Sequence, residues 1–272
     1  MTPKSGPVLL VGCGRMGGAL LRGWIGRGIP KNQITVIEPE TAFRAMVEAE
    51  HGVTAIRDAS EIPPALKPAV IVLAVKPQVM DQVLPPYARY SEAVFLSIAA
   101  GKKIAALKTL LGTAAIVRAM PNLPAAIGQG VTVACADPSV GGEARSRCRE
   151  LLAAVGEVAF IENEDLMDAV TAVSGSGPAY VFLLAECLAE AGAAAGLDPD
   201  LALKLACATV TGSGALLGQS GETPARLREN VTSPGGTTAA ALAVLMANEG
   251  MPDLLKRAVA AAAKRSRELS SH

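Results

Sequence analysis

The chain has 272 residues, of which 50% are apolar, only 3% are aromatic and 18% are charged. A chain of this length can bury one large core or two smaller ones. Because 25 basic residues balance 25 acidic ones, the formal net charge is zero and gives no electrostatic footprint for nucleic acid or an anionic membrane. We therefore expect neither nucleic acid nor a membrane as a partner.

Cysteine usage indicates a reducing compartment. Five cysteines are scattered without a CxxC pair, and His51 and His272 are the only histidines. These cysteines and histidines do not have the number and spacing of zinc ligands, so no metal is expected. The N-terminus lacks the apolar core of a secretion signal, and no run reaches about 18 uninterrupted apolar residues, the length of a membrane span. These features predict a cytoplasmic protein with reduced thiols.

Short apolar runs alternate with helical patterns over residues 1–162. The predicted strands are Val8–Val11, Ile34–Glu38, Ala69–Val75, Val94–Ile98, Ala115–Met120, Val131–Ala136 and Val158–Ile161. The predicted helices between them include Met16–Arg27, Thr41–His51 and Glu143–Val155. Alternating strands and helices predict an α/β domain of Rossmann type, with a parallel, doubly wound sheet.

Helical patterns alone follow over residues 163–272. Asp198-Pro199 and Thr223-Pro224 each place a capping side chain before a proline at the first helical position. Gly177-Pro178 starts another predicted helix, which ends near Gly196. Because Ala-rich helices offer little apolar area to bury alone, we expect this second, all-helical domain to pack against another copy of the chain.

A glycine-rich turn joins the first predicted strand to the first predicted helix. It reads Gly12-Cys13-Gly14-Arg15-Met16-Gly17. In a GxGxxG motif the first glycine allows the turn, the second lets a pyrophosphate approach the backbone, and the third lets the helix pack closely on the strand. The amides at the helix N-terminus hold the pyrophosphate. In this strand–turn–helix context the motif predicts a dinucleotide site rather than a merely glycine-rich turn.

Glu38 ends the second predicted strand, where an acidic side chain can accept hydrogen bonds from the adenosine ribose hydroxyls. A carboxylate there would repel a 2′-phosphate, which favours NADH. However, Arg44 lies nearby in the next helix, and Glu38 could instead point to solvent. The sequence therefore predicts NADPH or NADH as the cofactor and leaves the choice open.

Two further strand ends are expected beside the same crevice, because ligands of open α/β sheets bind outside the carboxyl ends of the strands. They are Ala74-Val75-Lys76-Pro77 and Ser97-Ile98-Ala99-Ala100-Gly101. Lys76 is either a catalytic lysine or phosphate contact, or a solvated lysine at a strand end. Asn122 follows a third strand end and places an amide near the crevice.

Glycines and hydroxyl side chains precede a predicted helix in the C-terminal half. The segment reads Asn230-Val231-Thr232-Ser233-Pro234-Gly235-Gly236-Thr237-Thr238. Such a turn presents several free amides in one direction and can hold a carboxylate without lysine or arginine. The alternative is a capped helix with a glycine-rich start. The density of hydroxyls favours an anion site.

The shortage of histidine bears on the reaction. Reducing a ketone usually requires a positioned proton donor, often histidine or lysine. His51 ends a surface helix and His272 is the terminal residue, so neither is a credible acid. An imine can bind already protonated and accept hydride as an iminium, which a site of hydroxyls and amides would serve.

Taken together, these residues resemble pyrroline-5-carboxylate reductases over essentially the whole chain. The segment from Asn230 to Thr238 carries most of the likeness. The supporting motifs are the glycine-rich turn, Ala74–Pro77, and Asp168–Thr171 leading into Ser174–Tyr180. The resemblance implies a Rossmann domain and a helical domain that forms a homodimer, assembled in many members into larger rings, often decamers.

The resemblance also implies the reaction, which is reduction of the imine carboxylate 1-pyrroline-5-carboxylate to L-proline by NADPH or NADH. The Thr238 hydroxyl, the implied catalytic group, would hydrogen-bond the ring nitrogen. Glu164 equally suits a simple helix-start carboxylate. The implied substrate-binding residues are Glu164, Asn230, Ser233, Gly236, Thr237 and Thr238. The implied cofactor-binding residues are Gly12, Cys13, Gly14, Arg15, Met16, Gly17, Glu38, Ala74, Val75, Lys76, Pro77, Ala99 and Ala100.

Two other functions fit part of the pattern. A β-hydroxyacid dehydrogenase also joins a Rossmann domain to a helical one, but it uses a helical lysine followed a turn later by an asparagine. Lys204 is followed by Ala208, so that pattern is missing. A non-catalytic dinucleotide sensor would not need the second, anion-binding site.

Overall fold

The computed structural model describes residues 6–112 and 114–270, which form two compact units. The first unit contains the chain up to Gly175 together with its C-terminal segment from Ala263. The second unit contains Ser176–Ala262. The division into residues 1–162 and 163–272 stays a prediction, because compactness alone does not define a functional domain.

An eight-stranded sheet lies at the centre of the first unit. Among the described residues its strands are β1 (Val8–Val11), β2 (Ile34–Ile37), β3 (Thr54–Ile56), β4 (Val70–Leu73), β5 (Val94–Ser97), β6 (Ala115–Met120), β7 (Gly130–Ala136) and β8 (Gly156–Ile161). Their order is β3-β2-β1-β4-β5-β6-β7-β8, and all neighbours are parallel except β6 and β7. The predicted Rossmann-type fold class is confirmed.

The helices of the described residues follow the predicted pattern closely. They are α1 (Arg15–Gly26), α2 (Thr41–His51), α3 (Met80–Val83), α4 (Ile104–Leu111), α5 (Gly142–Ala153), α6 (Met167–Val170), α7 (Gly177–Ala194), α8 (Pro199–Ser220), α9 (Pro224–Asn230), α10 (Thr237–Leu245) and α11 (Met251–Ser270). Both predicted caps form. The Asp198 carboxylate accepts from two amides of α8, and the Thr223 hydroxyl accepts from an amide of α9.

Two features of the sheet differ from the prediction. Only residues 121–129 separate β6 from β7, fewer than the dozen or so that a parallel crossover needs. The chain turns through the 3-10 segment Leu123–Ile127 and returns antiparallel. The prediction also omits β3, which has three residues at the sheet edge and shows no alternation to reveal it.

Apolar side chains cover both faces of the sheet. Along β1, Val8 and Leu10 pack into one buried cluster, whereas Leu9 and Val11 pack into the other. Trp24 of α1 joins the first cluster, and its indole N–H donates to a backbone carbonyl of α5 at 2.9 Å. A central strand that is buried on both sides explains why the run is apolar throughout.

The C-terminal end of α11 belongs to the first unit. The Ser266 hydroxyl donates to the Asp168 carboxylate at 2.5 Å, and both residues are buried. Gly101 has a φ of +77°, and its Cα faces the backbone of Leu269. The last helical turns therefore pack beside the segment that follows Ala99 and Ala100.

The second unit has almost no core within one chain. The structure describes all of its residues, and only Ala202 and Ala206 are buried. Large apolar side chains along α7 and α8 stay exposed, with exposed fractions of 54% for Phe182 and 52% for Leu203. Contiguous apolar surface of this kind marks an interface with protein or membrane.

Two segments, Glu164–Ala194 and Pro199–Ser220, are long and apolar enough to cross a membrane by length and composition. The sequence analysis predicts no such span, because polar residues and glycines interrupt every apolar run. Composition alone does not distinguish a lipid surface from the surface of a second subunit.

We expect the wild-type chain to sediment as an oligomer and Phe182→Asp to shift it towards smaller species. A carboxylate placed in an apolar interface loses its hydration without gaining a partner. Analytical ultracentrifugation at matched protein concentrations measures this shift, and Glu48→Gln, on exposed α2, is the control. A monomeric wild-type chain would contradict the expectation.

Candidate functional site

The glycine-rich turn between β1 and α1 is closely packed on one side and open on the other. Gly12 has a φ of +89°, a conformation that favours glycine, and a Cβ there would lie 2.9 Å from the Ala74 carbonyl oxygen. A Cβ on Gly17 would collide with the Gly12 carbonyl oxygen. A Cβ on Gly14 would meet no atom within 4 Å. This geometry fits the roles that the motif predicts.

The N-terminus of α1 can bind an anion. Gly14 occupies the cap position, so no side chain accepts a hydrogen bond from the first turn. The amides of Arg15, Met16 and Gly17 are therefore available at the positive end of the helix dipole. Because Gly14 leaves the space in front of them open, these residues fit the pyrophosphate of a dinucleotide.

Glu38 lies directly after β2 and reaches back to the glycine-rich turn. One carboxylate oxygen accepts from the Cys13 amide at 3.0 Å, and the other accepts from the Glu40 amide at 3.2 Å. The alternative that Glu38 points away into solvent is therefore wrong. Arg44 contacts the backbone of this segment rather than the carboxylate, since its guanidinium donates to the carbonyl oxygens of Glu38 and Pro39 at 2.9 and 2.6 Å.

Cys13 contributes its backbone rather than its thiol. The side chain is 6% exposed. Burial, reinforced by the Glu38 carboxylate, raises the pKa of the Cys13 thiol to about 11. A thiol that stays protonated is a weak nucleophile and a weak metal ligand.

The two predicted strand ends follow β4, which pairs with β1, and β5, which pairs with the other side of β4. The Ala74 amide donates to the Val11 carbonyl at 2.8 Å, and Val75 lies against Gly12. Lys76 is exposed and precedes a 3-10 turn, Pro77–Val79. This segment therefore adjoins the glycine-rich turn, and Lys76 has the accessible side chain that a phosphate contact needs.

The last residue of β5, Ser97, fixes the backbone of the segment that follows the strand. The buried Ser97 hydroxyl accepts from the Ala99 amide at 3.4 Å. Ala99 is 4% exposed, whereas Ala100 is exposed. Because both side chains are small, a ligand can approach this backbone closely.

The Asn122 side chain has a structural role. Its side-chain oxygen accepts from the Val131 amide at 2.9 Å and so ties the turn after β6 to the start of β7. The predicted amide at this strand end is present, but its acceptor atom already has a backbone partner.

Glu164 forms an ion pair that the sequence analysis does not predict. Its carboxylate accepts from the Arg118 guanidinium at 2.8 Å and from the Ile104 amide, the first of α4, at 2.9 Å. Arg118 lies within β6 and is only 3% exposed. Glu164 therefore neutralises a buried cation and caps α4. The sequence did contain a signal for this ion pair, because Arg118 is a basic residue within an otherwise apolar predicted strand.

The predicted anion site lies at the start of α10 and is contained in the second unit. Gly235 has a φ of +69°, and the Gly236 amide donates to the Ser233 carbonyl at 3.1 Å. This turn delivers the chain to the helix with Gly236 as its cap residue, which offers no side-chain acceptor. A Cβ on Gly236 would collide with the Ser233 hydroxyl, so any larger residue here would displace that hydroxyl.

Three amides at this N-terminus, those of Thr237, Thr238 and Ala239, precede the first bond of the helix ladder, which joins the Ala240 amide to the Gly236 carbonyl. Thr237 is exposed and Thr238 is half-buried. The first turn contains no acidic residue. The helix dipole and these free amides can therefore attract a carboxylate without a basic side chain.

Asn230 ends α9, and its side chain is held by a carboxylate from the loop that precedes this helix. Its side-chain amide donates to Glu222 at 2.9 Å. The sequence analysis does not name Glu222, because an isolated surface carboxylate gives no signal by spacing. Of the two histidines, His51 ends α2, and His272 lies outside the described residues.

Two family models match the chain. The model described as "NADP oxidoreductase coenzyme F420-dependent" matches residues 7–101. The model described as "Pyrroline-5-carboxylate reductase dimerisation" matches residues 164–269. The first range contains the glycine-rich turn, and the second contains the start of α10 together with both long apolar helices.

Named relatives match over nearly the full length. The pyrroline-5-carboxylate reductase of Pseudomonas aeruginosa is 39% identical and covers 99% of this chain and 97% of its own. Among solved structures, the reductase from Coxiella burnetii has a TM-score of 0.93 at 32% identity, covering 98% of this chain and 99% of its own. The Plasmodium falciparum reductase, solved with NADP bound, has a TM-score of 0.81 at 29% identity, covering 98% and 99%.

Gly14→Val should abolish dinucleotide binding and leave the thermal midpoint nearly unchanged. The added side chain meets no protein atom at its Cβ, but it fills the space in front of the α1 amides. Isothermal titration with NADH and NADPH measures the loss. Gly26→Val, at the far end of the same helix, is the matched control and should bind normally. Normal affinity in Gly14→Val would refute this position for the pyrophosphate.

Glu164→Ala should lower the free energy of unfolding by about 3 kcal/mol, because it leaves Arg118 buried without its partner. Urea denaturation at one fixed protein concentration measures the change. Glu162→Ala is the control: its ion pair with Arg145 is exposed, so the loss should be about 1 kcal/mol or less. Unchanged stability with weakened substrate binding would instead support the substrate role.

Proposed function

The chain belongs to the pyrroline-5-carboxylate reductase family, and we propose that it reduces 1-pyrroline-5-carboxylate to L-proline with NADPH or NADH, the last step of proline biosynthesis. A hydride adds to the C=N carbon, and the ring nitrogen keeps a proton as it becomes the amine of proline. The observation that carries the proposal is the open start of α10, an anion site without a basic side chain or a strong acid, in a chain that also has a dinucleotide turn.

The first unit would hold the cofactor, which supplies the hydride when bound. The amides of the α1 N-terminus would bind the pyrophosphate, and Glu38 would accept hydrogen bonds from the adenosine ribose hydroxyls. Ala74–Pro77 and Ala99-Ala100 would also contact the dinucleotide, and the alanines would let it approach the backbone closely. The NADP in the Plasmodium falciparum relative supports this assignment.

The second unit would hold the substrate by its carboxylate. The amides of α10, with Ser233 and Gly236, bind the carboxylate oxygens, and the Thr238 hydroxyl hydrogen-bonds the ring nitrogen. These contacts fix the ring so that its C=N carbon is presented for hydride transfer. The protonated imine is already electrophilic, so the site needs no histidine. The family resemblance also implies Glu164 and Asn230 as substrate-binding residues.

The exposed faces of α7 and α8 would pack against a second copy of the chain. Both helices lie within the range matched by the dimerisation model, which favours a protein partner over lipid for these apolar surfaces. We further propose that residues 163–272 form the dimerisation and substrate-binding domain, that dimers assemble into a decamer, and that the enzyme works in the cytoplasm.

The two alternative functions have less support from the residues of this chain. A β-hydroxyacid dehydrogenase would need a helical lysine followed a turn later by an asparagine, but Lys204 is followed by Ala208. A sensor would bind the dinucleotide without turnover. The oxidation of NADH or NADPH in the presence of pyrroline-5-carboxylate, and its absence with a keto acid, distinguishes all three.

Thr238→Ala should lower kcat/KM for pyrroline-5-carboxylate about 10- to 100-fold, the effect of losing one hydrogen bond to a charged group. We expect a higher KM and a lower kcat, with the cofactor Kd unchanged. Thr109→Ala, on exposed α4, is the control. Wild-type kinetics in Thr238→Ala would show that this hydroxyl does not contact the imine.

A further inference from the structure

The carboxylate of Glu38 is fixed beside the dinucleotide turn, and we propose that it makes this chain select NADH over NADPH. The inference rests on the proposed function only in requiring that a nicotinamide dinucleotide binds at this turn. It assigns to one residue a selectivity that the reaction itself leaves undefined, since either cofactor can reduce the imine.

Two backbone amides hold the carboxylate in place. Cys13 lies in the glycine-rich turn itself and donates to one oxygen at 3.0 Å, whereas Glu40 follows β2 and donates to the other at 3.2 Å. Because each oxygen has its own amide partner, the side chain cannot rotate away without losing both bonds. Hydrogen bonds to a charged acceptor are costly to break.

Among the residues that the structure describes, the Glu38 carboxylate forms no ion pair. Arg44 is the basic residue next to it in the chain, and its guanidinium donates to two carbonyl oxygens and to the Thr41 hydroxyl at 3.1 Å. Those bonds hold the Arg44 guanidinium against the backbone at the start of α2, where it pairs with carbonyl oxygens rather than with the Glu38 carboxylate.

The two cofactors differ only at the adenosine 2′ position. A 2′-hydroxyl can donate a hydrogen bond to a fixed carboxylate, which has acceptor capacity left after its two amide bonds. A 2′-phosphate cannot donate when ionised, and its charge of about −1.5 to −2 is repelled by the carboxylate. The site therefore combines an attraction for NADH with a repulsion against NADPH, the usual basis of specificity.

The test is cofactor binding by purified protein in the absence of imine, measured by isothermal titration. The wild-type chain should bind NADH at least about tenfold more tightly than NADPH. Glu38→Gln keeps the size of the side chain and removes its charge, so it should reduce the ratio of the two dissociation constants at least about tenfold. The ratio of the two dissociation constants can be measured without any catalytic turnover.

A purely structural role for Glu38 predicts a different result. Loss of the bond to Cys13 would weaken both cofactors alike and leave their ratio unchanged. Glu40→Gln is the matched control, because it removes a neighbouring exposed charge while its backbone amide still binds Glu38; its ratio should equal that of wild type. Tighter binding of NADPH by wild type, or an unchanged ratio in Glu38→Gln, would overturn the proposal.

Turnover separates this proposal from the proposed function. If neither cofactor supports reduction of pyrroline-5-carboxylate while the binding ratio favours NADH, the assigned reaction fails and the selectivity of Glu38 stands. If both cofactors support equal kcat/KM with equal dissociation constants, the reaction stands and the selectivity fails.

Discussion

Both candidate sites depend on a helix whose N-terminus is left without a side-chain cap. Glycine occupies the cap position of α1 and of α10, so the first amides of each helix have no acceptor from their own segment. In other helices a side chain accepts such amides: Asp198 and Thr223 cap the helices that follow them, and Glu164 caps α4 from a distant segment. The starts of α2, α5 and α7 also lack a side-chain cap, so an open helix start permits anion binding but does not by itself define a site.

Local features of the fold could be predicted from the sequence because their causes are local. The glycine-rich turn and the proline-marked helix starts each depend on a few consecutive residues. The antiparallel direction of β7 could not be predicted without knowing that β6 and β7 pair. The clue in the sequence was the short connection between these two strands. Pairs such as Arg118 with Glu164, 46 residues apart, join isolated charges that no periodicity connects, so they appear only when the chain is folded.

The same distinction applies to the sites. The α10 segment could be identified from consecutive glycines and hydroxyls, and its geometry fits an anion site. The direction of the Glu38 side chain could not be predicted, because the sequence allows this side chain to point either to solvent or to the glycine-rich turn. Its bond to the Cys13 amide turns an uncertain preference into a structural argument about the cofactor. Likewise, helical periodicity predicted the second unit, but only its exposed side chains show how much it relies on a partner.

The most direct test of the account is a crystal structure of the protein with L-proline and the oxidised cofactor. The account predicts that the proline carboxylate accepts hydrogen bonds from the amides of Thr237, Thr238 and Ala239, and that the Thr238 hydroxyl contacts the ring nitrogen. A carboxylate bound by lysine or arginine elsewhere, with no ligand at the start of α10, would contradict it.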